Sequence, residues 1–243
     1  LQQETATYQA PSATWYPETE FCYFSNKQGL FMAAKGGYNN ESHNHNDAGT
    51  VSVYSHHVPM LIDAGVGTYT RQTFSSERYS IWTMQSNYHN LPLINGVPQK
   101  FGSEYKATEV KVDSRKQTFS ANIATAYPEE AAAEKWIRSY RLGKDRLTIT
   151  DTFRLKEAKA ANVVNFLVWG NVDLSVPGII ALEVKGEKGQ LTYDSRQFKA
   201  SIETIRLEDP RLSNVWGNEI YRVSLTAQQP VTAGTYTFTY LQK

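Results

Sequence analysis

The sequence predicts an all-β fold, a large antiparallel β-sandwich, on three observations. Short runs of alternating or continuous apolar residues recur along most of the chain, turn signals separate them at fairly regular spacing, and helical periodicity is scarce. Residues 29–35 form a short apolar run closed by Gly36-Gly37. Thr50-Val51-Ser52-Val53-Tyr54-Ser55 alternates as a half-buried strand does, and residues 58–63 follow after a brief polar turn, so the two form a hairpin. The pattern continues at 118–125, 135–142, 146–153, 162–169, 179–184, 198–205, 220–226 and 235–241. Gly143-Lys144-Asp145 and the Gly/Lys-rich stretch 185–189 mark turns between them. Residues 129–134 (Glu-Glu-Ala-Ala-Ala-Glu) are the one strong helix-forming stretch, and it is short.

A chain of 243 residues buries a sizeable core, and without repeats or linkers it is read as one domain, 1–243. The formal net charge of +1 gives no nucleic-acid or membrane-surface footprint. No apolar run approaches the roughly 18–20 residues of a membrane span. Aromatic residues make up 12%, including fifteen tyrosines, which suits a β protein and also carbohydrate contact. Cys22 is the only cysteine, so neither an internal disulfide nor a cysteine-rich metal site can form. The chain opens on polar residues without methionine, and is read as a mature or excised fragment whose upstream part is missing.

The chemistry concentrates in one region. Three of the five histidines lie in Glu41-Ser42-His43-Asn44-His45-Asn46-Asp47 and Tyr88-His89-Asn90, with Asp63 between them. If residues 42–47 are extended, His43, His45 and Asp47 share a face. Two imidazoles, one carboxylate and water make a tetrahedral set for a divalent ion such as zinc. Asp47 has two readings beside that of a ligand: a carboxylate that orients a neighbouring imidazole, or a cap on the turn before Ala48-Gly49. His56 and His57 are assigned to solvent at the hairpin turn. Arg78 is a candidate for holding an acidic group in a bidentate pair, Tyr69 and Tyr79 are candidate substrate contacts, and Trp82 is read as packing.

The motifs resemble those of the heparinase II/III-like polysaccharide lyases. The run Lys35-Gly36-Gly37-Tyr38-Asn39-Asn40-Glu41-Ser42-His43-Asn44-His45-Asn46-Asp47-Ala48-Gly49 matches the family signature. Leu61-Ile62-Asp63-Ala64-Gly65, then Arg78-Tyr79 and Tyr88-His89-Asn90, follow in the family's order within residues 31–102. The resemblance implies the C-terminal β-sandwich of an enzyme whose N-terminal α/α toroid is absent from this chain. It implies cleavage of uronic-acid polysaccharides, heparan sulfate-like or alginate-like, by β-elimination. His43 takes the place of the catalytic histidine, and His45, Asp63 and His89 take the places of ligands to a structural metal, commonly zinc. The partners implied are an acidic polysaccharide and the toroid of the same polypeptide; the compartment implied is the bacterial periplasm or exterior. The resemblance also implies that the fragment alone has little activity.

Two other classes remain open at the level of the residues. His45-x-Asp47 with a distal His89 has the spacing of a non-haem iron facial triad, although no arginine follows His89 to hold an oxo-acid cosubstrate. A non-catalytic carbohydrate-binding module would explain the sandwich and the aromatics.

Overall fold

The computed structural model describes residues 11–40 and 45–243. Their strands, in chain order, begin with β1 Ala13–Tyr16, β2 Phe21–Ser25, β3 Leu30–Lys35, β4 Tyr38–Asn39, β5 Val51–Ser55 and β6 Val58–Leu61. After a run of 3₁₀ turns come β7 Pro92–Leu93, β8 Gly102–Lys106, β9 Thr108–Asp113 and β10 Thr118–Asn122. Two long strands, β11 Ala133–Leu142 and β12 Arg146–Leu155, precede β13 Val163–Val168 and β14 Asn171–Asp173. β15 Ile179–Val184, β16 Glu187–Thr192 and β17 Phe198–Arg206 lead to the short helix α1 Pro210–Trp216, then β18 Glu219–Ala227 and β19 Ala233–Gln242.

All pairings are antiparallel and most strands meet a neighbour near in sequence, so the alternating sequence pattern converts directly into sheets with one buried face. One layer is an eight-stranded sheet, β14-β15-β16-β19-β12-β11-β10-β9. Facing it are a five-stranded sheet, β1-β2-β3-β5-β6, and a four-stranded sheet, β17-β18-β13-β7. The latter two meet where the Ile62 N–H donates to the Leu167 carbonyl at 3.0 Å, beside the part of β13 that β7 leaves uncovered. Aromatic pairs cross the sandwich: Trp15 packs edge-on against Phe119 (6.4 Å) and Phe166 against Phe238 (5.4 Å). The buried apolar residues form one cluster, from Cys22 and Phe24 to Phe238 and Tyr240.

The expected strands are present with ends moved by a residue or a few, and one expectation is corrected. Residues 129–134 do not form a helix: Glu129–Ala131 make a single 3₁₀ turn, Ala132 adopts φ +52°, and β11 begins at Ala133. A run so short cannot recover the cost of helix nucleation, and pairing with β12 wins. The α-helix among the described residues is instead Pro210–Trp216, capped by the Asp209 side chain accepting from the Arg211 N–H, with proline in the first turn. Among the described residues no helix is long and apolar enough to cross a membrane.

Cys22 is fully buried on β2, and burial pushes its thiol up to about 12. Since the thiolate is the reactive form, iodoacetamide at neutral pH is expected to leave Cys22 unmodified in the folded chain and to alkylate it after denaturation. Rapid labelling of the native chain would contradict the buried placement.

Candidate metal centre

Three separated segments meet at one end of the five-stranded sheet. The first, carrying His45, Asn46 and Asp47, runs irregularly between β4 and β5. It is anchored by the Asn46 N–H donating to the Met84 carbonyl at 2.9 Å and by Gly49. Gly49 has φ +88°, and a Cβ there would meet Ile123 Cγ2 at 2.5 Å, so this turn admits only glycine. The second segment leaves β6, and Asp63 lies two residues past its end with Oδ1 accepting from the Gly65 N–H at 2.8 Å. The third returns through four consecutive 3₁₀ turns, Gln72–Phe74, Ser76–Ser80, Trp82–Met84 and Ser86–Tyr88, which deliver His89.

One potential ligand atom from each of His45, Asp63 and His89 lies within 4.8 Å of the others. The two imidazole rings are 5.2 Å apart, and His89 Nδ1 lies 3.2 Å from Asp63 Oδ2. His89 Nε2 is 3.0 Å from the Thr83 carbonyl. A carbonyl only accepts, so Nε2 carries a proton and the lone pair of the neutral ring sits on Nδ1, facing Asp63. Ligating histidines are held in this way, with the second ring nitrogen donating to a fixed acceptor. His45 Nε2 is buried and has no hydrogen-bond partner among the described residues, and the buried His89 Nδ1 has the Asp63 carboxylate beside it. Tetrahedral zinc with bonds of about 2.0–2.2 Å needs donors roughly 3.3 Å apart, so the His89–Asp63 pair is already at that separation. The residues fit a divalent ion bound by two nitrogens and one oxygen.

The charges agree with this reading. Burial, then the neighbouring His89, push His45 down to about 4, partly offset by the carboxylates of Asp47 and Asp63, so at neutral pH it is an uncharged imidazole able to ligate a metal. Burial would raise Asp63, but the His89 ring outweighs it and holds the carboxyl well below the usual range. For His89, burial acts downward and the Asp63 carboxylate more than reverses it. The Asp63 carboxylate, which favours positive charge on the His89 ring, would likewise favour a metal cation at Nδ1. The Asp63 side chain keeps 36% of its surface exposed while that of His89 keeps 1%, so the carboxylate is the open edge of the site.

His89 is braced through its neighbour. Asn90 is buried; its amide donates to the carbonyls of Val51 (2.7 Å) and Ile62 (3.2 Å), and its side-chain oxygen accepts from the Leu167 N–H (2.8 Å). One side chain thus ties together β5, the segment after β6, and β13. The Asn90 carbonyl in turn accepts from Arg138 Nη1 at 2.8 Å. Arg138 and Asp151 are directly opposed on β11 and β12, fully buried, and joined by two hydrogen bonds of 2.7 and 2.6 Å. On the other side, helix α1 pins the loop after Asp63: Trp216 Nε1 donates to the Ala64 carbonyl at 2.9 Å, and Thr68 bonds to Asp209 through its N–H and hydroxyl, each at 2.6 Å.

The other candidate residues fall into place unevenly. His43 lies outside the described residues. Asp47 does not join the ligand set: its carboxylate pairs with Lys35 at 2.8 Å, and it reaches the imidazoles only through its charge. Its backbone carbonyl accepts from the Thr50 N–H. Arg78 lies over the Tyr79 ring at 5.3 Å, and Tyr79 stacks on Phe101 at 4.4 Å. Tyr69 stacks on Phe74 (5.6 Å) under the Arg211 guanidinium (5.0 Å). Trp82 packs edge-on against Tyr88. His56 and His57 are exposed with φ +47° and +67° at the hairpin tip, but His56 Nδ1 also lies 2.9 Å from Glu187 Oε1.

The residues that sequence reasoning missed are the supports: Asn90 as a clamp, Arg138, Asp151, Asp209 and Trp216. The signal for Arg138 was its parity, since Trp136, Arg138 and Tyr140 occupy one face of β11 and are all buried.

Comparison with known proteins bears on the family and the fold. A family model, Heparinase II/III-like, C-terminal, matches residues 9–222. No curated protein matches. Among solved structures, heparan sulfate lyase HepC from Pedobacter heparinus aligns with a TM-score of 0.77 at 14% identity, covering 99% of this chain and 38% of the other. Heparinase III aligns with a TM-score of 0.74 at 14% identity, covering 98% of this chain and 38% of the other. These likenesses show the fold, and the chain spans well under half the length of either protein. By the family match over most of its length, the chain belongs to the heparinase II/III-like C-terminal family, a polysaccharide lyase family.

Proposed function

We propose that this chain is the C-terminal part of a lyase that cleaves uronic-acid polysaccharides, heparan sulfate-like or alginate-like, by β-elimination. The observation that carries the reading is the convergence of His45, Asp63 and His89 on one point, with His45 two residues after His43 in the sequence. In the reaction a base takes the proton from C5 of the uronate, the C5–H electron pair becomes the C4–C5 double bond, and the C4–O bond breaks with a proton delivered to O4. The C5 proton is weakly acidic, so the uronate carboxylate has to be neutralised and the developing carbanion stabilised.

In this reading His43 works near C5 or O4 as an unliganded imidazole that takes or gives a proton. His45 is a ligand and therefore not available as a base. A divalent ion, zinc being the best match to the donor set, would be held by His45, Asp63 and His89 and would supply structural bracing of the segment that carries His43. Arg78 and Tyr79 would contact the acidic substrate, and Tyr69 is a more distant candidate. The remaining groups, an asparagine and a tyrosine among them, would come from an N-terminal helical toroid of the same polypeptide. The compartment proposed is the bacterial periplasm or the exterior, where such polymers are met.

The pairing of Asp47 with Lys35 favours this reading over an iron facial triad, which would need Asp47 as a ligand and would leave Asp63 without a role. The test uses the complete polypeptide and a uronate polysaccharide, following the ultraviolet absorbance of the unsaturated uronate product. His43→Ala is expected to lower turnover by roughly 100- to 10,000-fold with the fold and substrate binding intact, and the 243-residue chain alone is expected to give little product. Unchanged turnover in His43→Ala would leave only a non-catalytic carbohydrate-binding role for this domain.

A further inference from the structure

A groove of about 530 Å³ opens beside the metal centre, lined by Asn46, Tyr79, Gln85, Asn87, Lys100 and Phe101 among others. Its floor is rigid. Gln99 is buried there and fully committed, accepting from Asn39 Nδ2 and the Ala48 N–H (3.0 Å each) and donating to the Ala48 carbonyl (2.7 Å). Asn46 is the exception: it is 5% exposed, lines the groove, and its Oδ1 has no hydrogen-bond partner among the described residues. Buried amide oxygens are rarely left in that state, and a ligand donor is one way to satisfy them.

The rim supplies three further kinds of contact. Phe101 is 42% exposed and backed by the stacked Tyr79, so the pair presents a fixed aromatic plate. Lys100 is exposed and forms no ion pair among the described residues; its nearest described charge contact is the Tyr105 ring at 5.7 Å. The Asn87 side-chain amide makes no hydrogen bond among the described residues, although its backbone carbonyl accepts from Arg222. An aromatic face for C–H groups, amides for hydroxyls and one ammonium for one anionic group together match a sugar ring carrying a single carboxylate.

We propose that this groove is a subsite for one uronate unit of an acidic oligosaccharide, with Phe101 as the stacking face, Lys100 as the carboxylate partner and Asn46 Oδ1 as acceptor for a sugar hydroxyl. The assignment rests on the polysaccharide-lyase reading and adds the residues that select the charged sugar next to the metal centre. It concerns binding, so it stands or falls separately from turnover.

The test is calorimetric titration of the 243-residue chain with two probes whose only charges are carboxylates, an unsulfated glucuronate–N-acetylglucosamine hexasaccharide and a mannuronate hexamer, each beside its carboxyl-reduced form. The wild-type chain is expected to bind at least one charged probe and to prefer it to the reduced form by roughly tenfold. Lys100→Gln is expected to lose that preference while still binding the reduced form, and Phe101→Ala to weaken both forms by a similar factor. Lys188→Gln, on β16 in the eight-stranded sheet, is expected to bind as wild type does. Wild-type affinity in both Lys100→Gln and Phe101→Ala, equal binding of charged and reduced probes by the wild-type chain, or no binding of either charged probe would each overturn the subsite. Selective loss in Lys100→Gln with no product from the complete polypeptide would keep the subsite and reject the lyase reading. Turnover whose KM is unmoved by Lys100→Gln would do the reverse.

Discussion

Replacing Arg138 by methionine is expected to destabilise the chain by about 3–5 kcal/mol, because it strands the fully buried Asp151 carboxylate without its partner. For a chain of this size that corresponds to a fall in Tm of roughly 6–20 °C. Arg138→Met combined with Asp151→Leu removes both charges, and is expected to recover most of the loss, since well-packed apolar replacements of buried ion pairs are often neutral. Recovery should stop short of wild type, because the Asn90 carbonyl still lacks the donor that Arg138 Nη1 provided. Thermal denaturation of the single and double variants measures both parts. A single variant within about 1 kcal/mol of wild type would show that the pair contributes little to holding β11, β12 and the His89–Asn90 segment together.

Substitution of His89 by alanine carries the second large effect. If His45, Asp63 and His89 hold an ion, an occupied site stabilises the folded chain by about 4 kcal/mol when the free ion is a thousandfold above its Kd. A chelator should therefore lower the Tm of the wild-type chain and leave that of His89→Ala unmoved. Asp63→Asn, which keeps the shape but not the charge, should show the same loss of response. Equal chelator responses in wild type and both variants would place the stabilising ion elsewhere or remove it from the account.

Much of the scaffold was legible in the sequence because β patterning is local. Val51, Val53 and Ser55 alternate with half-buried neighbours as the string predicts, and the turn at His56-His57 brings β6 back beside β5. The clustering of His45, Asp63 and His89 was legible because motif order grouped these two histidines with this aspartate. What stayed hidden depended on pairing between distant segments. Asp47 was read as a supporting residue beside the ligand set, but its partner, Lys35 at the end of β3, was not foreseen. Arg138 and Asp151 read as ordinary polar residues in strands, although each falls on the buried parity of its own strand. The strand Gly102–Lys106 carries polar residues and exposes most of them, so no apolar alternation announced it. Thr108–Asp113 does alternate, with Val110 and Val112 turned inward, and was missed because two valines make a weak signal. The groove by Lys100 and Phe101 was beyond reach, since Asn46, Tyr79 and Phe101 meet only through tertiary folding.

The central claim is that His45, Asp63 and His89 together bind one divalent ion that braces the segment following His43. X-ray absorption at the metal edge of the purified chain tests it most directly. One ion per chain is expected, with two imidazole nitrogens and carboxylate or water oxygens at about 2.0–2.2 Å, and loss of that shell in His89→Ala. A chain that retains no ion after purification and reloading with zinc, or an ion whose shell lacks imidazole, would contradict it.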